Sequence, residues 1–224
     1  NLVNIFNINS MKNIVLLLII FCSSIVFSQK YTFNFATHYE LYFAKKKYET
    51  VSYSNTDNPN IFLYFYNTDG KRTAKLVDTE QMQNHFFSVS RQVTTNVEVL
   101  HFKYINSEKK EENKLFRQYP TYYDFKTTKR DSLYKTVVLQ FYTNEKKKKV
   151  NLRLELKIKE ADANYFPNYR IATLHGASER KELNYTENGL VVEAFDLTKK
   201  KKKEQAKLIY SEKIQFELVV PTKK

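Results

Sequence analysis

The chain has 224 residues, with 37 Lys plus Arg against 24 Asp plus Glu, and it contains 17 Tyr, 17 Phe, one Cys, three Gly and no Trp. Three glycines exclude a dinucleotide fingerprint or a phosphate-cradling loop, each of which needs several in a short window, and one cysteine excludes a disulfide framework or a multi-cysteine zinc site. A hydrophobic content of 42% suffices for a real core, and the length predicts one domain or at most two.

Residues 11–28 read as a secretory signal peptide. Lys12 supplies the positive start, 14–27 form an apolar stretch interrupted by Cys22, Ser23 and Ser24, and Val26 and Ser28 precede a cut before Gln29. That stretch falls short of the roughly 20 apolar residues that span a bilayer, so no stable transmembrane span is expected. Phe21 stands immediately before Cys22, where a lipoprotein acylation motif needs a small residue. Residues 1–10 precede Met11 and read as an upstream translation artefact. The expected mature domain, 29–224, loses Lys12 and Cys22, which leaves it without cysteine and lowers the net charge from +13 to +12. Its expected location is periplasmic, outer-membrane-associated or extracellular.

Period-2 alternation dominates the rest of the chain. Over 31–43, Phe33, Phe35, Thr37, Tyr39, Leu41 and Phe43 share one face of a long strand. Strands follow at 48–54, 61–67 and 71–78, the last two joined by Asp69-Gly70, which supplies the positive φ of a tight hairpin. Residues 61–66, IFLYFY, are apolar on both faces, as in a strand covered on both sides or one whose second face meets a ligand or partner. Residues 78–86 predict a short helix or turn, 85–90 and 97–105 predict strands, and 108–114 a charged loop. A strand at 136–143 precedes the lysine run 146–149, which reads as a solvated hairpin tip. In 150–159, Val150, Leu152, Leu154, Leu156 and Ile158 alternate with polar residues; on a helix they would spiral around the cylinder, on a strand they make one dry face. Residues 160–166 likewise predict a short helix or turn. Asn188-Gly189 reads as the turn between strands at 182–186 and 190–197, the lysines of 199–203 as a flank, and 207–220 as the last strand. The fold class is therefore all-β: a single domain of about ten antiparallel strands in a strongly curved sheet or half-open barrel, with at most one or two short helices.

Chemistry-bearing motifs are sparse. His38, His85, His101 and His175 show no ligand spacing, so no metal or other cofactor is expected. Ser88 and Ser90 lie near His85 but lack a nucleophile elbow, and Glu111 and Glu112 sit among surface lysines, so no catalytic residue is assigned and the protein is expected not to be an enzyme. The basic, aromatic-rich composition invites a nucleic-acid reading, but no RRM-type aromatic motif or KH-type loop is present and no nucleic-acid partner is expected. The same charge would attract an anionic envelope surface, although most lysines fall at turns. The oligomeric state is not legible. The aromatic excess has two readings, a packed core or the lining of an apolar pocket. The residues for either role are Phe33, Phe35, Tyr39, Leu41 and Phe43 on one strand and Val150, Leu152, Leu154, Leu156 and Ile158 on another.

A leader, a long first strand, successive hairpins and a late segment containing Asn188-Gly189-Leu190 give this chain an architecture that resembles exported proteins of the LolA/LolB-like half-barrel type. The resemblance is one of architecture and carries no functional residue to a numbered position. It implies carriage of a lipid or acyl chain on a concave sheet face plugged by helices. The leading expectation is thus an exported, non-enzymatic envelope protein that binds or carries an apolar or amphiphilic ligand. A structural or protein-interaction component of the envelope comes second and an exported hydrolase third.

Overall fold

Strand periodicity carries the whole architecture. The structure is a computed structural model that describes residues 28–43, 46–68, 70–94, 97–109, 122–174, 183–198 and 203–221, without the side chains of Phe43, Thr68, Thr94, Val97 and Glu98. Residues 11–27 of the expected leader, Asp69, Glu111, Glu112 and His175 lie outside the described residues. The described chain is all-β, with eleven strands and one helix: β1 (Gln29–Phe43), β2 (Lys46–Ser54), β3 (Ile61–Thr68), β4 (Lys71–Asp78), β5 (Gln83–Thr94), β6 (Val97–Lys109), β7 (Tyr122–Arg130), β8 (Tyr134–Tyr142), β9 (Val150–Lys159), α1 (Phe166–Thr173), β10 (Leu190–Asp196) and β11 (Lys203–Val220).

Contacts divide the chain into a unit of residues 32–217 and a smaller one made of 1–31 and 218–224. The described part of the smaller unit is the start of β1 and the end of β11, where Tyr31, Leu218 and Val220 are buried. The larger unit holds one open antiparallel sheet in the order β6-β5-β4-β3-β2-β1-β11-β10-β9-β8-β7. Within it the sheet rolls strongly. β6 and β11 are six places apart, which a flat sheet would stretch to about 29 Å at roughly 4.8 Å per strand. Yet the rings of Phe102 on β6 and Phe216 on β11 lie 5.2 Å apart. Tyr53, Phe65 and Phe87 complete this aromatic cluster, with centroid spacings of 5.5 Å for Tyr53–Phe216, 6.0 Å for Phe65–Phe102 and 6.3 Å for Phe87–Phe102.

The opposite face carries α1. Along β3, Leu63 and Phe65 point into the rolled cluster while Phe62 points to the helix, where it packs with Val77 and Ile171. All three β3 residues are buried, so the IFLYFY strand is indeed covered on both faces. Val137, Leu139, Leu154, Leu156, Ile158, Val191 and Ala194 form the floor beneath Phe166, Tyr169 and Ala172. Every residue from Phe166 to Ala172 is buried, so the helix is held by its surroundings rather than by one amphipathic stripe. Its two interior polar side chains are each hydrogen-bonded: Asn168 Nδ2 donates to Ser54 Oγ at 2.7 Å and Arg170 Nη1 donates to the Leu183 carbonyl at 2.9 Å. Each such buried bond contributes about 1 kcal/mol net and costs more to leave half-made.

Several expectations are corrected. Where a short helix or turn was expected at 160–166, the helix lies at Phe166–Thr173, because Asn164 Oδ1 accepts from the Phe166 amide at 3.0 Å and Pro167 stands in the first turn, where its missing donor costs nothing. Of 78–86, where a short helix or turn was expected, 79–82 form the turn, in which Asp78 Oδ1 accepts from the amides of Glu80 and Gln81 at 2.9 and 2.8 Å, and Gln83–Phe86 already belong to β5. Asn188-Gly189 is not a hairpin turn, and residues 183–188 are not a strand. Gly189, with φ of +147°, exchanges backbone hydrogen bonds with Ala163 and Tyr165 on the strand side of the helix start. Glycine is required there by space, because a Cβ would come within 2.5 Å of Ile158 Cγ2. β7 escaped the sequence reading altogether, since Tyr122, Tyr123 and Phe125 alternate with too few polar residues. The hairpins at Gly70 (φ +73°) and at 143–149 stand as expected, the latter closed by a hydrogen bond from Thr143 to Lys149 and turned by Lys147 at φ +51°.

Candidate functional site

One groove stands out among the described residues, and β1, β2, β3 and α1 build it. The register pairs Leu41 with Tyr48, Tyr39 with Thr50 and Ser52 with Tyr64, which puts Leu41, Thr50 and Tyr64 on the helix side of the sheet. Phe62, Tyr64 and Tyr66, alternate residues of β3, form a row of rings spaced 6.3 and 6.0 Å. With Ile171, Ala172 and Thr173 at the C-terminal half of α1 they enclose about 950 Å³. The cavity opens near Tyr42, Lys47, Glu49 and Asn67.

Its lining is more apolar than polar, with Thr50, Thr173 and Gln205 among its polar groups. Gln205 lines it and accepts from the buried Tyr169 hydroxyl at 2.9 Å, so its orientation is set. Burial, helped by Tyr66, pushes the Tyr64 phenol up to about 12, so it stays a neutral hydrogen-bonding group throughout the physiological range. At the mouth, Lys47 bonds to Glu40 and lies 3.9 Å from Glu49; the Glu40 hydrogen bond raises the lysine above its ordinary value.

Of the ten residues singled out in the sequence, Leu41 is the only one with a described side chain that lines the groove. Phe33 is buried with its ring 5.8 Å from Phe216, Phe35 stacks on Tyr165 at 3.9 Å, and Tyr39 donates its hydroxyl to the Val191 carbonyl at 2.7 Å. Leu154, Leu156 and Ile158 are fully buried in the core beneath α1, Leu152 packs partly against it, and Val150 is exposed. The Phe43 side chain is outside the described ones. The dry face of β9 is therefore core. Phe62, Tyr64, Tyr66, Ile171 and Gln205 were missed as site residues; the doubled apolar faces of IFLYFY were the available signal.

The serine and histidine positions do not converge as their spacing suggested. His85 Nδ1 lies 2.6 Å from Ser107 Oγ, which in turn lies 2.6 Å from the Tyr104 hydroxyl. Ser88 points to the opposite face from His85 and its Oγ donates to the Lys103 carbonyl at 3.4 Å. His101 bonds to Gln92 at 3.1 Å, and His38 lies 3.4 Å from Glu49. Among the described residues no three His, Cys, Asp or Glu side chains are placed to hold a metal ion, and no helix is long and apolar enough to cross a membrane.

Fold and groove together define a class: an open, rolled antiparallel sheet that seats one short helix on one face and leaves a cavity beside it. No protein-family model matches the chain, and comparison with the curated proteins finds none similar to it.

Proposed function

We propose that this protein is a non-enzymatic binding or carrier module for an apolar or amphiphilic ligand, a lipid or acyl chain, held in the groove between β1–β3 and α1. The supporting observation is the volume of about 950 Å³ floored by Phe62, Tyr64 and Tyr66 and walled by Leu41 and Ile171. Ligand sites are concave, mostly apolar and roughly 300–1,000 Å³, with a few polar groups that fix orientation. Thr50, Thr173 and Gln205 supply such groups here. With a signal peptide at 11–28 the module would work outside the cytoplasm, and its basic surface would favour an anionic envelope.

The test is displacement of a fluorescent fatty-acid probe, joined to native mass spectrometry of protein purified from its own envelope fraction. Uptake of the probe, abolished by Thr50→Trp, is expected because that indole would occupy the groove without entering the core beneath the helix. Probe uptake unaffected by Thr50→Trp, or protein that takes up no probe at all, would overturn the reading.

A further inference from the structure

One cation beside the groove floor is held between aromatic rings rather than in an ion pair. Lys75 on β4 is directly across from Tyr64 on β3 and from Phe86 on β5, on the face that α1 covers. Its Nζ lies 5.8 Å from the Tyr64 ring centre and 5.7 Å from that of Phe86, so the ammonium sits between two rings. Burial lowers its pKa, while the charge of Glu108 on β6 opposes that shift. Among the described residues no carboxylate forms an ion pair with it, in contrast to Lys47, Lys135, Lys147, Lys157 and Lys213. Two ring faces stabilise a partly desolvated ammonium, but they do not neutralise it. The Tyr64 ring beneath this ammonium is also the middle of the groove floor. Lys75 does not itself line the cavity; it adjoins the floor through Tyr64, so its charge is, among the described residues, the nearest unpaired cation to a chain lying along Phe62 and Leu41.

We propose that Lys75, beside the groove floor at Tyr64, reaches the anionic head of a ligand whose chain occupies the groove, and that this ligand is a single-chain amphiphile. This rests on the groove reading and adds the head-group chemistry to it. A charge-assisted contact in a partly dry site is worth about tenfold or more in affinity. The test is competition against the fluorescent probe by tetradecanoate, tetradecanol and tetradecylamine, in the unaltered protein, Lys75→Met and Lys75→Arg. Tetradecanoate is expected to bind about tenfold more tightly than the alcohol and far more tightly than the amine. Lys75→Met should abolish the preference for the acid over the alcohol, and Lys75→Arg should retain it. Equal binding of acid and alcohol to the unaltered protein, with both still blocked by Thr50→Trp, would refute the head-group assignment and leave the groove reading standing. So would a preference that survives Lys75→Met. If none of the three amphiphiles competes in any form, the groove reading itself fails and takes this one with it.

Discussion

The ring of Phe102 on β6 lies 5.2 Å from the ring of Phe216 on β11, although five strands separate them in the sheet. This contact joins strands that hydrogen bonds do not, and Phe33 and Tyr53 reinforce it from β1 and β2. Aromatic pairs at such spacing contribute about 0.5–1.5 kcal/mol beyond the area they bury. Phe102→Leu and Phe216→Leu are each expected to cost about 1–2 kcal/mol, and the double variant less than their sum by about 1 kcal/mol. Urea unfolding of the three variants measures this; strict additivity would mean that the two rings do not close the roll.

Lys135 is fully buried, yet its charge is balanced. Its Nζ donates to Glu187 Oε2 at 3.0 Å and to the Asn188 carbonyl at 2.7 Å, with Glu160 at 3.7 Å and the Tyr185 ring at 5.2 Å. These contacts tie residues 183–189 to β8. The hydrogen bond from Lys135 is the main reason the Glu187 carboxyl is held below the ordinary glutamate range. A depressed carboxylate stabilises the fold above its unfolded pKa, and that stabilisation is lost as pH falls from about 4.3 through the lower folded value. Glu187→Gln should cost about 1 kcal/mol at pH 7, a figure kept small because the carboxylate is 43% exposed. It should also flatten the decline of the urea midpoint below pH 4.3 relative to the parent; parallel pH profiles would contradict the assignment.

His85 makes the opposite kind of demand, because burial lowers its pKa while the nearby Asp78 charge opposes the shift. The neutral ring, bonded to Ser107, is the form that the fold accommodates. Acid therefore protonates the unfolded chain first, and stability declines as pH drops below about 6.5 towards the lower folded value. His85→Gln retains a hydrogen-bonding side chain and removes the titration. Its unfolding midpoint should vary less between pH 7.5 and 5.5 than that of the parent. Equal slopes in that window would show that His85 is not the group responsible.

The two described glycines should respond differently to alanine. At Gly70 a Cβ meets nothing within 4 Å, so the cost is that of a left-handed backbone alone, about 1 kcal/mol. At Gly189 the added Cβ would meet Ile158 Cγ2 at 2.5 Å and the Lys159 carbonyl at 3.1 Å. Overpacking in a dense core adds to the strained φ, and about 3 kcal/mol is expected. Thermal melts of Gly70→Ala and Gly189→Ala decide this, and equal shifts would contradict the close approach.

Strand identity was legible residue by residue where apolar and polar side chains alternate cleanly, and β7, where they do not, went unread. Alternation over 31–43 and 150–159 is a local consequence of side chains pointing to opposite faces, and the observed β1 and β9 follow it within a few residues. The all-β class followed from it, as did the hairpins at Gly70 and at the lysine run, because turn chemistry is also local. What lies opposite a dry face is decided elsewhere in the chain. Leu154 and Leu156 read the same as Leu41, yet the first two lie under Phe166 and Tyr169 while the third borders an open groove. Only the placement of an eight-residue helix separates those outcomes. That placement depends on Asn164 and Pro167 at its start and on the partners of Asn168 and Arg170 on distant segments. In the same way, the roll that brings Phe102 to Phe216 comes from pairing seven strands in one sheet, a long-range outcome with no trace in the period of any one of them.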